Sequence, residues 1–273
     1  MTLLGLSLLS ALWAANPALE TDEEEPVVAA IAYTGNTPPD GNFECEELAN
    51  SDIEEELCEV EILVREAADQ GARIVVLSEG SFEIEDPEGL PRKGRLPDPE
   101  ASPILAAMSN LAAELQLYLL VPIHTLDHSD QTFTSLIALG PRGRTVGIHH
   151  KIELYSTEHE EFSAGSRFGT FETPWGRVAM MLCSDLYAEP ELHLQMVARS
   201  KAKIVALSSL WTVEEATRWQ SAMAHDWGVH VIPANGAGGT GKGSGIYNPD
   251  GSALTSDDSG LDAVLVASLQ LDR

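Results

Sequence analysis

Along the chain, apolar runs of strand length alternate with stretches whose apolar residues recur at helical spacing, the order expected of an α/β layered domain. Val27 to Tyr33 is one such run and predicts a buried strand. Glu54 to Gln70 sets Leu57, Val60, Leu63, Val64 and Ala67 on one face, which predicts a helix. Ile74 to Leu77 predicts a second strand, Pro103 to Leu115 a helix, and Tyr118 to Ile123 a third strand. Phe133 to Leu139 and Thr145 to His150 predict a hairpin joined by Gly140-Pro141-Arg142-Gly143. A second hairpin, Phe168 to Thr173 with Val178 to Leu182, turns at Pro174-Trp175-Gly176. Pro190 to Ser200 then predicts a helix, Ile204 to Ser208 a strand, Ala216 to Trp227 a helix and Val229 to Ala234 a strand. Gly245 to Tyr247 and Ala263 to Leu269 supply late strands. There is no internal repeat and no interior linker, so a single domain is expected over residues 27–271.

The ends read differently. Residues 1–19 carry no charged side chain, and the run from Leu3 to Leu12 has the length of a signal-peptide core rather than of a membrane span. Small residues follow at Ala14, Ala15 and Ala18, so residues 1–19 are expected to be an export signal. Residues 20–26 follow as an acidic spacer with Asp22, Glu23, Glu24 and Glu25. No second apolar run is long enough to span a bilayer, and a soluble periplasmic or secreted product is expected. Cys45, Cys58 and Cys183 are too few for a disulfide scaffold. In an oxidising compartment Cys45 and Cys58 can close a short loop, and whether they do is open at this point.

The 16 Lys and Arg against 43 Asp and Glu give a net charge of −27. A field of that sign excludes binding to phosphate backbones and opposes adhesion to anionic membranes. It does not signal disorder, because hydrophobic residues at 44% and charged residues at 22% lie near globular averages.

Three residues stand where strands end. The run Ile74-Val75-Val76-Leu77 leads into Ser78-Glu79-Gly80, which puts a carboxylate at the sheet edge where ligands of α/β folds bind. Lys151 closes the strand Thr145 to His150, and Cys183 ends the run Val178 to Leu182. Each has an ordinary reading by itself: a solvated acid, an edge lysine that guards against pairing, a core thiol. Together they supply a base, a cation and a soft nucleophile, the parts needed for acyl transfer. His149, His150 and His159 suggest a metal, but adjacent strand residues point to opposite faces, so no metal is expected. The glycines of residues 236–243 fail as a phosphate loop, because Lys242 is not followed by Ser or Thr.

These motifs resemble those of the nitrilase superfamily of carbon–nitrogen hydrolases. Val75-Val76-Leu77-Ser78-Glu79 resembles its first motif, with Ser78 where proline is common. His149-His150-Lys151 resembles the lysine motif, and Cys183-Ser184-Asp185 with Pro190-Glu191 the cysteine motif. Phe162-Ser163-Ala164-Gly165 resembles the short element between the last two. Within the superfamily the chain is most similar to the biotinidase and vanin (pantetheinase) branch. The similarity lies in Ala67-Ala68-Asp69-Gln70-Gly71-Ala72, Leu154-Tyr155, Ala234-Asn235 and above all Gly243-Ser244-Gly245-Ile246-Tyr247-Asn248-Pro249. The resemblance runs from about Val27 to Leu271.

The resemblance implies an αββα sandwich and a catalytic Glu79, Lys151 and Cys183. It further implies hydrolysis of a linear, non-peptide amide through a thioester, with neither metal nor organic cofactor. Lys151 and the backbone N–H of Ser184 are expected to hold the oxyanion, worth about 3 kcal/mol per donor in comparable sites. A second glutamate is expected soon after the lysine: counting forward from Lys151 favours Glu158, counting back from Gly165 favours Glu160. Trp211 matches a position that lines the family's pocket, although a tryptophan buried for its area alone would look the same. The acidic surface favours a neutral small-molecule amide such as pantetheine over a phosphorylated relative. The alternatives are another amidase or acyltransferase of the superfamily, or a catalytically silent exported binding protein. The oligomeric state is open, a homodimer among the options.

Overall fold

The computed structural model describes residues 25–33, 52–82, 102–127, 129, 131–186, 188–211, 216–236 and 243–271. In chain order its elements are β1 (Val27–Ala32), α1 (Asp52–Asp69), β2 (Ile74–Leu77), α2 (Pro103–Leu115), β3 (Tyr118–Leu126), β4 (Thr132–Leu139) and β5 (Thr145–His150). They continue with α3 (Glu158–Glu161), β6 (Thr170–Thr173), β7 (Gly176–Leu182), α4 (Pro190–Ser200) and β8 (Ile204–Ser209). The last are α5 (Ala216–Trp227), β9 (His230–Asn235), β10 (Ser244–Tyr247), β11 (Ala253–Asp257) and β12 (Ala263–Ser268).

Two six-stranded sheets form, in the orders β12-β1-β2-β3-β4-β5 and β11-β10-β9-β8-β7-β6. In the first, β1, β2 and β3 are parallel, with β12 antiparallel on one side and β4 and β5 on the other. The second repeats that arrangement: β7, β8 and β9 are parallel, flanked by antiparallel β6 and by β10 and β11. The sequence shows no repeat because what recurs is strand direction, not residue type.

Strand alternation builds the layers. On β1, Ala29 and Ile31 pack with Val60, Leu63 and Val64 of α1 and Leu105 and Met108 of α2. Val28 and Ala30 point the other way, into a core shared with Val178, Met180 and Leu182 of β7 and Ile204 and Ala206 of β8. On the far side of the second sheet, Met181, Val205 and Leu207 meet Val197 of α4 and Met223 and Ala224 of α5. The result is the expected αββα order of four layers, with both sheets covered on both faces as parallel strands require.

The helix starts have local causes. α2 begins with Pro103 in its first turn, and Ser102 caps it by accepting the Leu105 N–H at 3.3 Å. α4 likewise begins at Pro190. Two strand expectations need correction. β3 runs on to Leu126, held there by β4 through the pairs His124 with Thr134 and Leu126 with Thr132. β11 was not expected, since Ala253–Asp257 is an exposed edge with no apolar run to announce it.

The export signal, most of the acidic spacer, Cys45 and residues 237–242 of the glycine-rich segment lie outside the described residues. Cys58 is disulfide-bonded, and Cys183 is a free, buried thiol. Among the described residues no helix is long and apolar enough to cross a membrane.

Two glycines separate conformational strain from crowding. Gly71 takes φ +91° after α1, and a Cβ there would meet nothing within 4 Å. Gly165 donates its N–H to the Lys151 carbonyl at 2.7 Å, and a Cβ there would lie 2.2 Å from the His150 carbonyl oxygen. Gly71→Ala should therefore cost only the left-handed backbone penalty, about 1 kcal/mol. Gly165→Ala must push the loop off the end of β5, and its chemical-denaturation midpoint should fall at least twice as far.

Candidate active site

Lys151 and Cys183 follow β5 and β7 directly and Glu79 follows β2 after Ser78, two at one sheet and one at the other, and they converge at one cavity. Lys151 Nζ lies 3.0 Å from Glu79 Oε1 and 2.6 Å from Glu158 Oε1. The Cys183 thiol shares the cavity wall with Glu79 and Leu210 and feels the charges of Glu79 and Lys151, while Glu79 Oε2 is buried without a hydrogen-bond partner among the described residues. Of the two candidate glutamates it is Glu158 that reaches the lysine, at the start of α3, where Oε2 also accepts the Tyr155 N–H at 2.7 Å. Glu160 is exposed.

Each strand end is held by local bonds. Ser78 donates its N–H to the Ile31 carbonyl at 3.2 Å, a bond proline would lack, and its hydroxyl accepts the Tyr33 N–H at 3.0 Å. Glu79 then lies in a turn whose next residue, Gly80, takes φ +82°. Cys183 has φ +41°, a left-handed conformation unusual for a residue with a side chain, at the head of the 3₁₀ turn Cys183–Leu186. That bend lifts its sulfur off the strand direction and towards Glu79.

Electrostatics follow burial. Lys151 is 1% exposed. Burial pulls its ammonium down, but Glu79, Cys183 and Glu158 outweigh that and leave it above the ordinary lysine range. Burial raises the Glu79 carboxyl, with Lys151 countering only part of the effect. Burial, with the Glu79 charge added, also pushes the Cys183 thiol up despite the Lys151 ammonium and the Leu210 N–H. At neutral pH the thiol keeps its proton, beside a carboxyl whose basicity burial has raised.

A second buried cluster fixes the two strand ends relative to each other. Asp185 Oδ1 accepts the N–H groups of Ile152 and Glu153 at 3.0 and 2.9 Å, just past Lys151. Its Oδ2 accepts the Leu182 N–H at 3.0 Å, just before Cys183, and lies 2.6 Å from His149 Nε2. Since His149 Nδ1 accepts the Gly169 N–H, Nε2 carries the proton and donates to Asp185. Burial would raise the Asp185 carboxyl, but His149 and the backbone N–H groups hold it below the usual carboxylate range. Sequence reasoning quoted Asp185 as part of a motif and missed this bridging position.

The other expected residues divide. The Ser184 hydroxyl donates to the Glu153 carbonyl, so its side chain ties the nucleophile turn to the lysine loop, leaving its backbone N–H as the group of interest. Trp211 is outside the cavity wall: its ring packs in the outer core at 6.0 Å from Trp219. Its neighbour Leu210 lines the cavity instead. Asn235 sets this turn, accepting the Trp211 N–H at 2.7 Å and donating to the Trp211 carbonyl at 3.0 Å. His149 and His150 do point apart, the second to Ser135 at 2.7 Å, and no metal-holding cluster occurs among the described residues.

These groups open on a cavity of about 310 Å³. Glu79, Glu158 and Cys183 share its wall with Phe82, Ile123 and Phe162, and His124 and Thr134 add polar groups.

The fold thus gathers a carboxyl, an ammonium and a thiol from three strand ends around one cavity. The sequence matches the carbon-nitrogen hydrolase family over residues 29–273, and the chain belongs to that family. It is 28% identical over 188 residues to "Probable nitrilase C965.09" of Schizosaccharomyces pombe, covering 62% of this chain and 65% of that protein. It is 25% identical over 228 residues to human pantetheine hydrolase VNN2, covering 70% and 43%. To human omega-amidase NIT2 it is 27% identical over 132 residues, covering 45% and 47%. The chain thus spans less than two thirds of the length of each of these relatives. Its fold superposes on Saccharomyces cerevisiae Nit3, a member of branch 10 of the nitrilase superfamily, with TM-score 0.73 and 20% identity over 90% of each chain.

Asp185→Asn keeps the shape but sets an NH₂ group against backbone donors. It should lower kcat about 10- to 100-fold with KM little changed, because misplaced strand ends spoil the attack geometry rather than the cavity. Stability follows the sign of the depressed carboxyl. The Asp185 contribution is present above the ordinary carboxylate range and is lost as pH falls through its own lower value. Melting temperatures of wild type and Asp185→Asn should therefore differ most near neutrality and converge in acid.

Proposed function

We propose that the protein hydrolyses a linear, non-peptide amide through a thioester on Cys183. The observation that carries this reading is one buried carboxyl, Glu79, paired with the Lys151 ammonium at 3.0 Å and sharing the cavity wall with the Cys183 thiol, its second oxygen unpartnered among the described residues. Glu79 takes the thiol proton as sulfur attacks the amide carbonyl carbon. The carbonyl oxygen becomes an oxyanion, held by Lys151 and the Ser184 backbone N–H. An ammonium has three donors. Glu79 and Glu158 use two of those of Lys151, which leaves one for the oxyanion. Glu79 returns its proton to the departing nitrogen as the C–N bond breaks. It then takes a proton from water, whose oxygen attacks the thioester carbon, and it passes that proton to the Cys183 sulfur as the C–S bond breaks, which frees the acid and restores the thiol and the carboxylate.

Within this class the reading favoured is a pantetheinase-like or biotinidase-like amidase acting on an uncharged substrate. The segment Gly243 to Pro249, the match to a pantetheine hydrolase and the two carboxylates in the cavity wall support it. The apolar start of the chain supports export.

The test is amine release by the purified protein from pantetheine, biotinyl-lysine and simple aliphatic amides, with Cys183→Ala as the blank. Turnover of pantetheine or biotinyl-lysine, absent in Cys183→Ala, is expected. Turnover of other amides alone would discard the branch, and equal activity of the variant would sink the mechanism. The pH profile checks the base. Because burial raises the Glu79 carboxyl, the acid limb of kcat/KM should lie above the range of an exposed carboxylate, activity falling as pH drops through it.

A further inference from the structure

The cavity wall holds one imidazole that the mechanism does not use. His124 is on β3, opposite Thr134 of β4, and both line the cavity. Its ring is fixed against Phe162, with centroids 4.5 Å apart and planes at 46°. Phe162 is itself held by donating its N–H to the Glu158 carbonyl at 2.8 Å, so the ring belongs to the same rigid loop as the second glutamate. Neither imidazole nitrogen has a hydrogen-bond partner among the described residues. A positioned polar side chain with no partner, facing a ligand cavity between Ile123 and Phe162, is placed to bind something that enters.

The chemistry of that group follows from its surroundings. Burial lowers the His124 pKa, and although Glu158 and Glu161 work against the shift, the ring is neutral at neutral pH. A neutral imidazole offers one donor and one acceptor. The Thr134 hydroxyl across the strand pair offers the same. The charged groups in the wall, Glu79 and Glu158, are both acidic. An uncharged group that both donates and accepts, such as a hydroxyl or a secondary amide, satisfies this pair. A carboxylate would face two acidic groups in the wall, and the nearby cation, Lys151, is already paired with both of them.

We propose that His124, supported by Thr134, selects the substrate by hydrogen-bonding an uncharged polar group on its acyl chain. This rests on the amidase reading above and adds the substrate feature that the cavity recognises.

The experiment compares pentanamide, 5-hydroxypentanamide and glutaramate, which differ only at the chain end. For a primary amide the acyl chain is the only variable part. Wild type should favour the hydroxyamide over pentanamide about tenfold in kcat/KM, through KM, with glutaramate the poorest. His124→Phe should bring the hydroxyamide-to-pentanamide ratio close to one, whereas His124→Gln, which keeps a donor and an acceptor, should retain most of the preference. Unchanged ratios in His124→Phe, or no preference in wild type, overturn the proposal. Calorimetric binding of the same amides to Cys183→Ala and to Cys183→Ala with His124→Phe reads the preference without turnover. If no amide is hydrolysed the amidase reading fails, and the binding ratios still decide the role of His124.

Discussion

A lysine ammonium almost removed from water is the constraint around which this site is organised. Lys151 is 1% exposed, and a buried charge of that kind is tolerated only when it is paired and hydrogen-bonded. Two carboxylates meet it, from different parts of the chain: Glu79 at the end of a parallel strand and Glu158 at the start of a four-residue helix. Each solves part of the lysine's problem and acquires one of its own. Glu79 is raised because one ammonium shared between two acids does not offset its burial. A carboxylate unsettled in this way is a stronger base than a surface one, which is the property a neighbouring thiol needs.

That balance demands fixed distances between segments that belong to different sheets, and the demand explains Asp185. Four donors, from Ile152, Glu153, Leu182 and His149, converge on its two oxygens. They join the residues after Lys151 to the residue before Cys183, so the lysine loop and the nucleophile turn move as one body. The Ser184 hydroxyl adds a parallel tie to the Glu153 carbonyl. Cys183 can then hold a left-handed backbone, since the surrounding bonds over-determine a conformation that costs about 1 to 2 kcal/mol when it stands alone.

Much of this was legible in the sequence where the cause is local. Pro103 and Pro190 mark helix starts because proline fits the first turn, and α2, α4 and α5 have the expected bounds. Glu79, Lys151 and Cys183 stood out because each ends an apolar run, and a strand end is where a polar side chain reaches the sheet edge. Roles settled by tertiary contact were not legible. The partners of Asp185 on the lysine strand and loop are 32 to 36 residues away. Glu158 and Glu160 could not be separated by counting through a loop. Trp211 and Leu210 were exchanged by one residue, because the hydrogen bonds of Asn235 fix which of the two side chains faces the cavity.

His124 shows the same limit from the other side. The apolar run on β3 stops at Ile123, so hydrophobic pattern alone ends the strand three residues too soon. Pairing with β4 carries it onward and brings His124 opposite Thr134. The strand extension becomes a wall of the cavity, and its first polar residue, His124, lines it. On the proposed reading, the chemistry of bond cleavage and the choice of substrate come from different parts of the fold. The former depends on three strand ends in two sheets held by Asp185, the latter on the extension of one hairpin.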